Sequence, residues 1–162
     1  DSFFVGLGLS QSEQLMFISS GDHVTSEVRF VPRDNLRAEQ TLIATRREGH
    51  EYDVEHQGDD AKTGRLIIRS NRNHPNFDLF ETPVATPEEV HWQILLPGDE
   101  SHYLMGHVAF ADALIVCLRI NGLDQVQIVD NSGSHLIEVP EPAYSVALGT
   151  NPNYRTNALR RA

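Results

Sequence analysis

A four-strand pattern repeats three times along this chain, and a fourth round opens before residue 162. The first round offers strand candidates at 3–9, 14–20, 26–31 and 41–46. The second offers 50–56, 65–71, 76–82 and 92–96, and the third 103–110, 113–119, 125–130 and 135–139. The fourth opens at 143–149. With Phe4, Tyr52, Leu104 and Tyr144 taken as equivalent first-strand positions, the intervals are about 48, 52 and 40 residues. Periods of roughly 40–50 residues with four short strands per unit are the signature of β-propeller blades, and closed rings carry about four to eight of them. The chain therefore reads as all-β, a partial β-propeller. It divides into about three four-stranded antiparallel blades (approximately 1–46, 47–100 and 101–142) and the start of a fourth (143–162).

Composition within the runs agrees with their period. Phe3-Phe4-Val5, Leu15-Met16-Phe17-Ile18, Leu66-Ile67-Ile68 and Val126-Gln127-Ile128-Val129 are rich in β-branched and aromatic residues. Turn chemistry separates them at Ser20-Gly21-Asp22, Asn121-Gly122 and Asn131-Ser132-Gly133. Asn-Gly between two apolar runs predicts a hairpin, because both residues tolerate positive φ. The polar stretch 57–64 reads as a surface loop. Thr86-Pro87-Glu88-Glu89 supports one helical turn at most, with Thr86 as its cap. The expected core is Phe17, Ile18, Ile67, Leu114, Ile115 and Val116.

The residues point away from several functions. A net charge of −10 argues against a sequence-independent grip on nucleic acid, which needs clustered Lys and Arg. The same charge suits either plain solubility or an acidic wall that concentrates cationic ligands. Apolar runs such as 113–118 are strand-length, far short of the roughly 20 residues of a membrane helix, so no membrane partner is expected. No positively charged leader precedes an apolar segment, and Asp1 in place of Met reads as a trimmed start. Cys117, the single cysteine, reads as a buried, inert thiol and fits a reducing, cytoplasmic setting.

No catalytic, metal-binding or cofactor-binding residue emerges. Gly-x-Ser-x-Gly, the elbow that raises a nucleophilic serine, does not occur. Ser132, Ser134 and His135 lie within a hairpin-turn composition rather than triad spacing. His50-Glu51 lacks the second histidine four residues on, since position 54 is Val. In a strand His50 and His56 share a face but stand too far apart to chelate one ion. His23, His74, His91, His102, His107 and His135 fall mostly on turns with no ligand spacing. Gly6-Leu7-Gly8 lacks the third glycine and the helix of a dinucleotide fingerprint.

An ordered set of short segments resembles the propeller domain of the oligopeptidase B peptidases. They are Asp1-Ser2-Phe3-Phe4-Val5, Thr25-Ser26-Glu27-Val28-Arg29, Gly49-His50-Glu51-Tyr52 and Ile68-Arg69-Ser70-Asn71 with Asn76-Phe77. Glu141-Pro142-Ala143-Tyr144, Asn151-Pro152 and Leu159-Arg160 complete it. Residues 59–64 look like a small insertion relative to that family, and the family continues beyond Leu159 into further strands. The resemblance implies a non-catalytic part of a serine peptidase of the prolyl oligopeptidase family. Its partner would be a C-terminal α/β-hydrolase domain that carries a Ser-Asp-His triad and cleaves short peptides after Arg or Lys. The propeller would gate substrate entry. A propeller used purely as a protein-binding scaffold stays open as a second reading; Trp92 followed by Gln93 counts against a Trp-Asp repeat of that kind. Unpaired blade faces and strand edges also lead to an expectation of self-association.

Overall fold

Asn121 and Gly122 take φ of 51° and 80°, the left-handed pair that a two-residue type I′ hairpin requires. Ile120 and Leu123 face each other across that turn. Similar hairpins build the rest of the computed structural model, which describes residues 3–137, 151–156 and 158. One four-stranded sheet holds β1 (Phe4–Leu9), β2 (Leu15–Gly21), β3 (Ser26–Pro32) and β4 (Thr41–Leu42). A second holds β5 (Tyr52–Gln57), β6 (Arg65–Ser70), β7 (Asp78–Pro83) and β8 (Gln93–Leu96). The third holds β9 (His102–Ala109), β10 (Ala113–Ile120), β11 (Leu123–Asp130) and β12 (Gly133–Leu136). Every pairing is antiparallel between chain neighbours, as propeller blades require. The strand expected at 143–149 lies outside the described residues.

The middle blade is buried on both faces. Leu66, Ile67 and Ile68 are each fully buried, and the pleat sends them to alternate sides. Leu66 and Ile68 join Leu15, Phe17, Phe30, Tyr52, Phe80 and Trp92 in the core shared with the first blade. Ile67 joins Leu79, Leu104, Leu114 and Val116 in the core shared with the third. Ile115, Phe110 and Val126 form a smaller cluster on the far side of the third blade. Five of the six expected core residues are buried; Ile18 is only half-buried. It stands opposite Leu7, with Met16 opposite Leu9, on the face of the first blade that no described residue covers.

Some boundaries differ from the sequence expectation. The fourth strand of the first blade pairs over two residues only, because the hydroxyl of Tyr52 occupies the backbone groups of Ala44. The expected strand 76–82 begins instead at Asp78. Phe77 takes φ of 70° and donates its N–H to His74 O at 3.0 Å, closing a turn. A phenylalanine in the left-handed region is strained, and here the ring is held between Tyr103 and the Arg69 guanidinium, 3.8 Å from its centroid. The short helix is one 3₁₀ turn, Glu89–His91, capped by Glu88 rather than Thr86 and without a side-chain cap bond.

Candidate functional site

Between the sheets the closest approaches are β5 against β3 and β9 against β5 and β6. The first strands of the second and third blades, β5 and β9, therefore lie at the seams, and polar side chains on them bridge the blades. Tyr52 is the centre of the first seam. Its hydroxyl accepts the N–H of Val28 at 2.7 Å and of Ala44 at 3.3 Å, and donates to Ala44 O at 2.9 Å. Burial drives the phenol up to about 12, so it stays protonated and keeps its donor.

Both histidines of the 50–56 stretch serve this seam as structural groups. His56 Nε2 donates to Thr63 O at 2.9 Å, which leaves Nδ1 to accept from Ser12 Oγ at 2.7 Å. His50 Nδ1 accepts from Arg47 at 3.2 Å, and Nε2 donates to Ser70 Oγ at 2.8 Å. Burial holds both below the ordinary histidine range, with Arg47 adding to the effect at His50. Arg47 forks onto Glu89 at 2.7 and 3.0 Å, tying the first blade to the 3₁₀ turn of the second.

Glu55 is an ionisable group that the sequence did not single out. Its carboxylate accepts the N–H of Gln11, in the β1–β2 turn, at 3.0 Å. Burial outweighs that hydrogen bond and pushes the carboxyl up to about 7. A carboxyl raised in the folded state contributes stability that is full below its unfolded value of about 4.5 and is lost as pH rises through about 7. Glu55→Gln is therefore expected to stabilise the protein at pH 8 by about 1–3 kcal/mol and to leave it unchanged near pH 4. Calorimetric melting at the two pH values checks this; an equal effect at both contradicts it.

The second seam is built on Asp53. Arg69 donates to Asp53 at 2.9 Å and to Leu104 O at 2.9 Å, crossing from the second blade to the third. His107 Nε2 donates to Ile67 O at 2.9 Å. The bare Nδ1 is buried without a hydrogen-bond partner among the described residues, 3.6 Å from Asp53. Desolvation holds His107 below its ordinary value although Asp53 pulls the other way. His107 lies in β9, within the strand expected at 103–110, and His102 begins that strand rather than ending the turn before it. The alternation of β9 could have placed His107 inward, but nothing in the sequence named its partner.

A third set of contacts gathers the hairpin tips. Gln11 donates to Asn151 O at 2.6 Å, Gly58 N–H to the Tyr154 hydroxyl at 2.9 Å, and Ala111 N–H to Tyr154 O at 3.0 Å. Arg155 pairs with Asp59, within the stretch that reads as an insertion. Residues 151–156 thus touch the β1–β2 and β5–β6 turns and the connection between β9 and β10.

The remaining candidates are not brought together. Ser132 donates both its N–H and its hydroxyl to Asp130, and Ser134 bonds Gln127, so these serines are engaged in the β11–β12 turn rather than with His135. Cys117 is half-buried rather than fully enclosed, and burial raises its thiol above the ordinary value. Among the described residues, no three His, Cys, Asp or Glu side chains converge as a metal site. No helix among them is long and apolar enough to cross a membrane.

Between β1 and β5 lies a groove of about 480 Å³, floored by Phe17, Val28 and Tyr52. Asp22, Asp53 and Glu55 contribute to its wall, and among the described residues no Lys or Arg lines it.

The whole chain, residues 1–162, matches the family model of the prolyl oligopeptidase N-terminal β-propeller domain. It is 32% identical to Protease 2 of Moraxella lacunata over 98% of its own length and 22% of that protein's. It is 29% identical to dipeptidyl aminopeptidase BI of Pseudoxanthomonas mexicana, again over 22% of that relative. The fold superposes on oligopeptidase B from Trypanosoma brucei, closed and with covalently bound antipain, at a TM-score of 0.88 and 23% identity, covering 98% of this chain and 24% of that one. Oligopeptidase B from Leishmania major gives 0.87 at 20% identity, over 98% and 23%. The chain spans about a fifth of the length of the curated relatives it matches. Matched by that family model from residue 1 to residue 162, and folded into consecutive four-stranded antiparallel blades, the chain belongs to the N-terminal β-propeller domain family of the prolyl oligopeptidases.

Proposed function

We propose that this chain is a non-catalytic propeller segment of an oligopeptidase B-like serine endopeptidase that cleaves short peptides after Arg or Lys. In this reading its blades gate access to a C-terminal α/β-hydrolase domain that carries the chemistry. The family match across all 162 residues carries the proposal. The absence of Gly-x-Ser-x-Gly from the chain is consistent with chemistry housed elsewhere. Solitary Cys117 suits a reducing, cytoplasmic compartment. Gating predicts a size cutoff that depends on how firmly the blades hold together. The experiment compares kcat/KM of the full polypeptide on Arg-containing peptides of increasing length, with and without the seam-loosening change Tyr52→Phe. Loosening is expected to raise acceptance of the longest peptides several-fold relative to the shortest. An unchanged length profile overturns the gating role.

The open face of the first blade supports a second proposal, that the isolated 162-residue chain self-associates. Val5 and Leu7 on β1 are 74% and 73% exposed, and such apolar area with a strand edge that no described residue pairs favours association. Sedimentation at tens of micromolar is expected to show a dimer or larger species; a stable monomer contradicts it.

A further inference from the structure

We propose that the groove between β1 and β5 is a docking site for an extended peptide segment, which pairs along the open edge of β1 and lowers a Lys or Arg side chain between the two blades. This deepens the peptidase reading and rests on it for the source of the peptide.

Three independent features of the structure converge here. The first is the edge. Among the described residues β1 pairs only with β2, so the N–H and C=O groups along its other edge have no ladder there. An extended chain added to such an edge gains main-chain hydrogen bonds, while its alternate side chains reach to either face. The second is the shape. Gly6 stands opposite Ser19 and Gly8 opposite Phe17, so both glycines belong to the face turned toward the second blade. A Cβ built on Gly8 meets nothing within 4 Å. A Cβ on Gly6 would instead crowd Ser19 Oγ at 3.1 Å, and with no side chain at either position about 480 Å³ stays open between the strand and Tyr52. That volume admits a long side chain with its stem against Phe17.

The third is charge. The groove carries Asp22 at the β2–β3 turn and Asp53 and Glu55 on β5, with no basic residue among the described residues that line it. Asp53 is engaged by Arg69 from the other side of its strand. Glu55 accepts the Gln11 N–H from the first blade and a backbone N–H of its own strand at His56, and no cation pairs with it among the described residues. A guanidinium or ammonium group entering between the blades would meet a carboxyl held at a position where burial disfavours its charge, and would supply the missing counter-charge. Both walls come from this chain, so the groove is distinct from the uncovered Met16–Ile18 face on the opposite side of the first blade.

The test uses the full polypeptide after its reactive serine has been blocked by a serine-directed inhibitor. The probe is a pentapeptide, acetyl-Ala-benzoylphenylalanine-Arg-Ala-Leu amide, irradiated with the protein and mapped by mass spectrometry. Cross-links are expected on residues 4–9 and 52–55. Replacing the probe's arginine with uncharged citrulline is expected to lower their yield about tenfold, the loss of one charge-assisted contact. Gly8→Trp, which meets open space, is expected to abolish them without moving the thermal midpoint. Glu55→Gln should narrow the difference between the arginine and citrulline probes. Cross-links confined to other segments, equal yields from both probes, or full yield from Gly8→Trp would each overturn the site. The length profile of hydrolysis reads gating separately, so a gating role that holds while the groove captures nothing removes this assignment alone.

Discussion

Replacing Phe80 with alanine is expected to cost about 3–5 kcal/mol, the usual range for removing a buried phenylalanine ring. Phe80 sits in the middle of β7 at 2% exposure. Its ring packs 5.6 Å from Trp92, centroid to centroid, and the Arg72 guanidinium lies 5.6 Å above it. It also belongs to the core that joins the first and second blades. Truncation therefore empties the seam and leaves neighbours on both blades without contacts, which the interlocked strands can only partly close. Urea unfolding checks this through a large drop in midpoint with little change in slope. A loss under about 1 kcal/mol would mean that the two blades do not share a packed core.

Tyr52→Phe removes one oxygen and is still expected to cost about 2–4 kcal/mol. That oxygen satisfies three backbone groups, Val28 N–H and both polar groups of Ala44. Val28 and Ala44 are buried at 4% exposure each, so water cannot readily replace the hydroxyl. The ring itself, stacked 5.1 Å from His50, remains in the variant. The effect therefore isolates hydrogen bonding from packing. Hydrogen exchange at Val28 and Ala44 gives the local reading: both amides are expected to lose protection well beyond the global change in stability. Unchanged protection at these two sites contradicts the clasp.

Much of the architecture was legible because it is written in local spacing. Asn121-Gly122 specifies its hairpin through the φ values those residues tolerate, and Leu66-Ile67-Ile68 announces a strand by its composition, which the structure then buries on both faces. Blade order then follows from repetition. What the sequence did not reveal depends on partners far along the chain. The truncation of β4 is caused by Tyr52, which comes from the next blade. The buried position of His107 depends on Ile67 and Asp53, two strands of the preceding blade. Phe77 in the left-handed region would be rejected on local grounds, and only its burial against Tyr103 and Arg69 makes the turn tenable. Ile18 shows the converse: its strand pattern marks it as core, yet burial requires a cover that the described residues do not supply. The groove was hidden for the same reason, since Gly6-Leu7-Gly8 and Asp53-Val54-Glu55 become its opposite walls only when the blades pack.

The central claim is that these blades shape access while the covalent chemistry belongs to another part of the polypeptide. The most direct measurement labels the full polypeptide with a fluorophosphonate that reacts with activated serines, then maps the modified peptide by mass spectrometry. The account predicts stoichiometric label on one serine outside these 162 residues, with labelling and hydrolysis of Arg-containing peptides lost together when that serine is replaced. Label on a serine of this chain, Ser12, Ser132 or Ser134 included, with activity lost on its replacement, would contradict it.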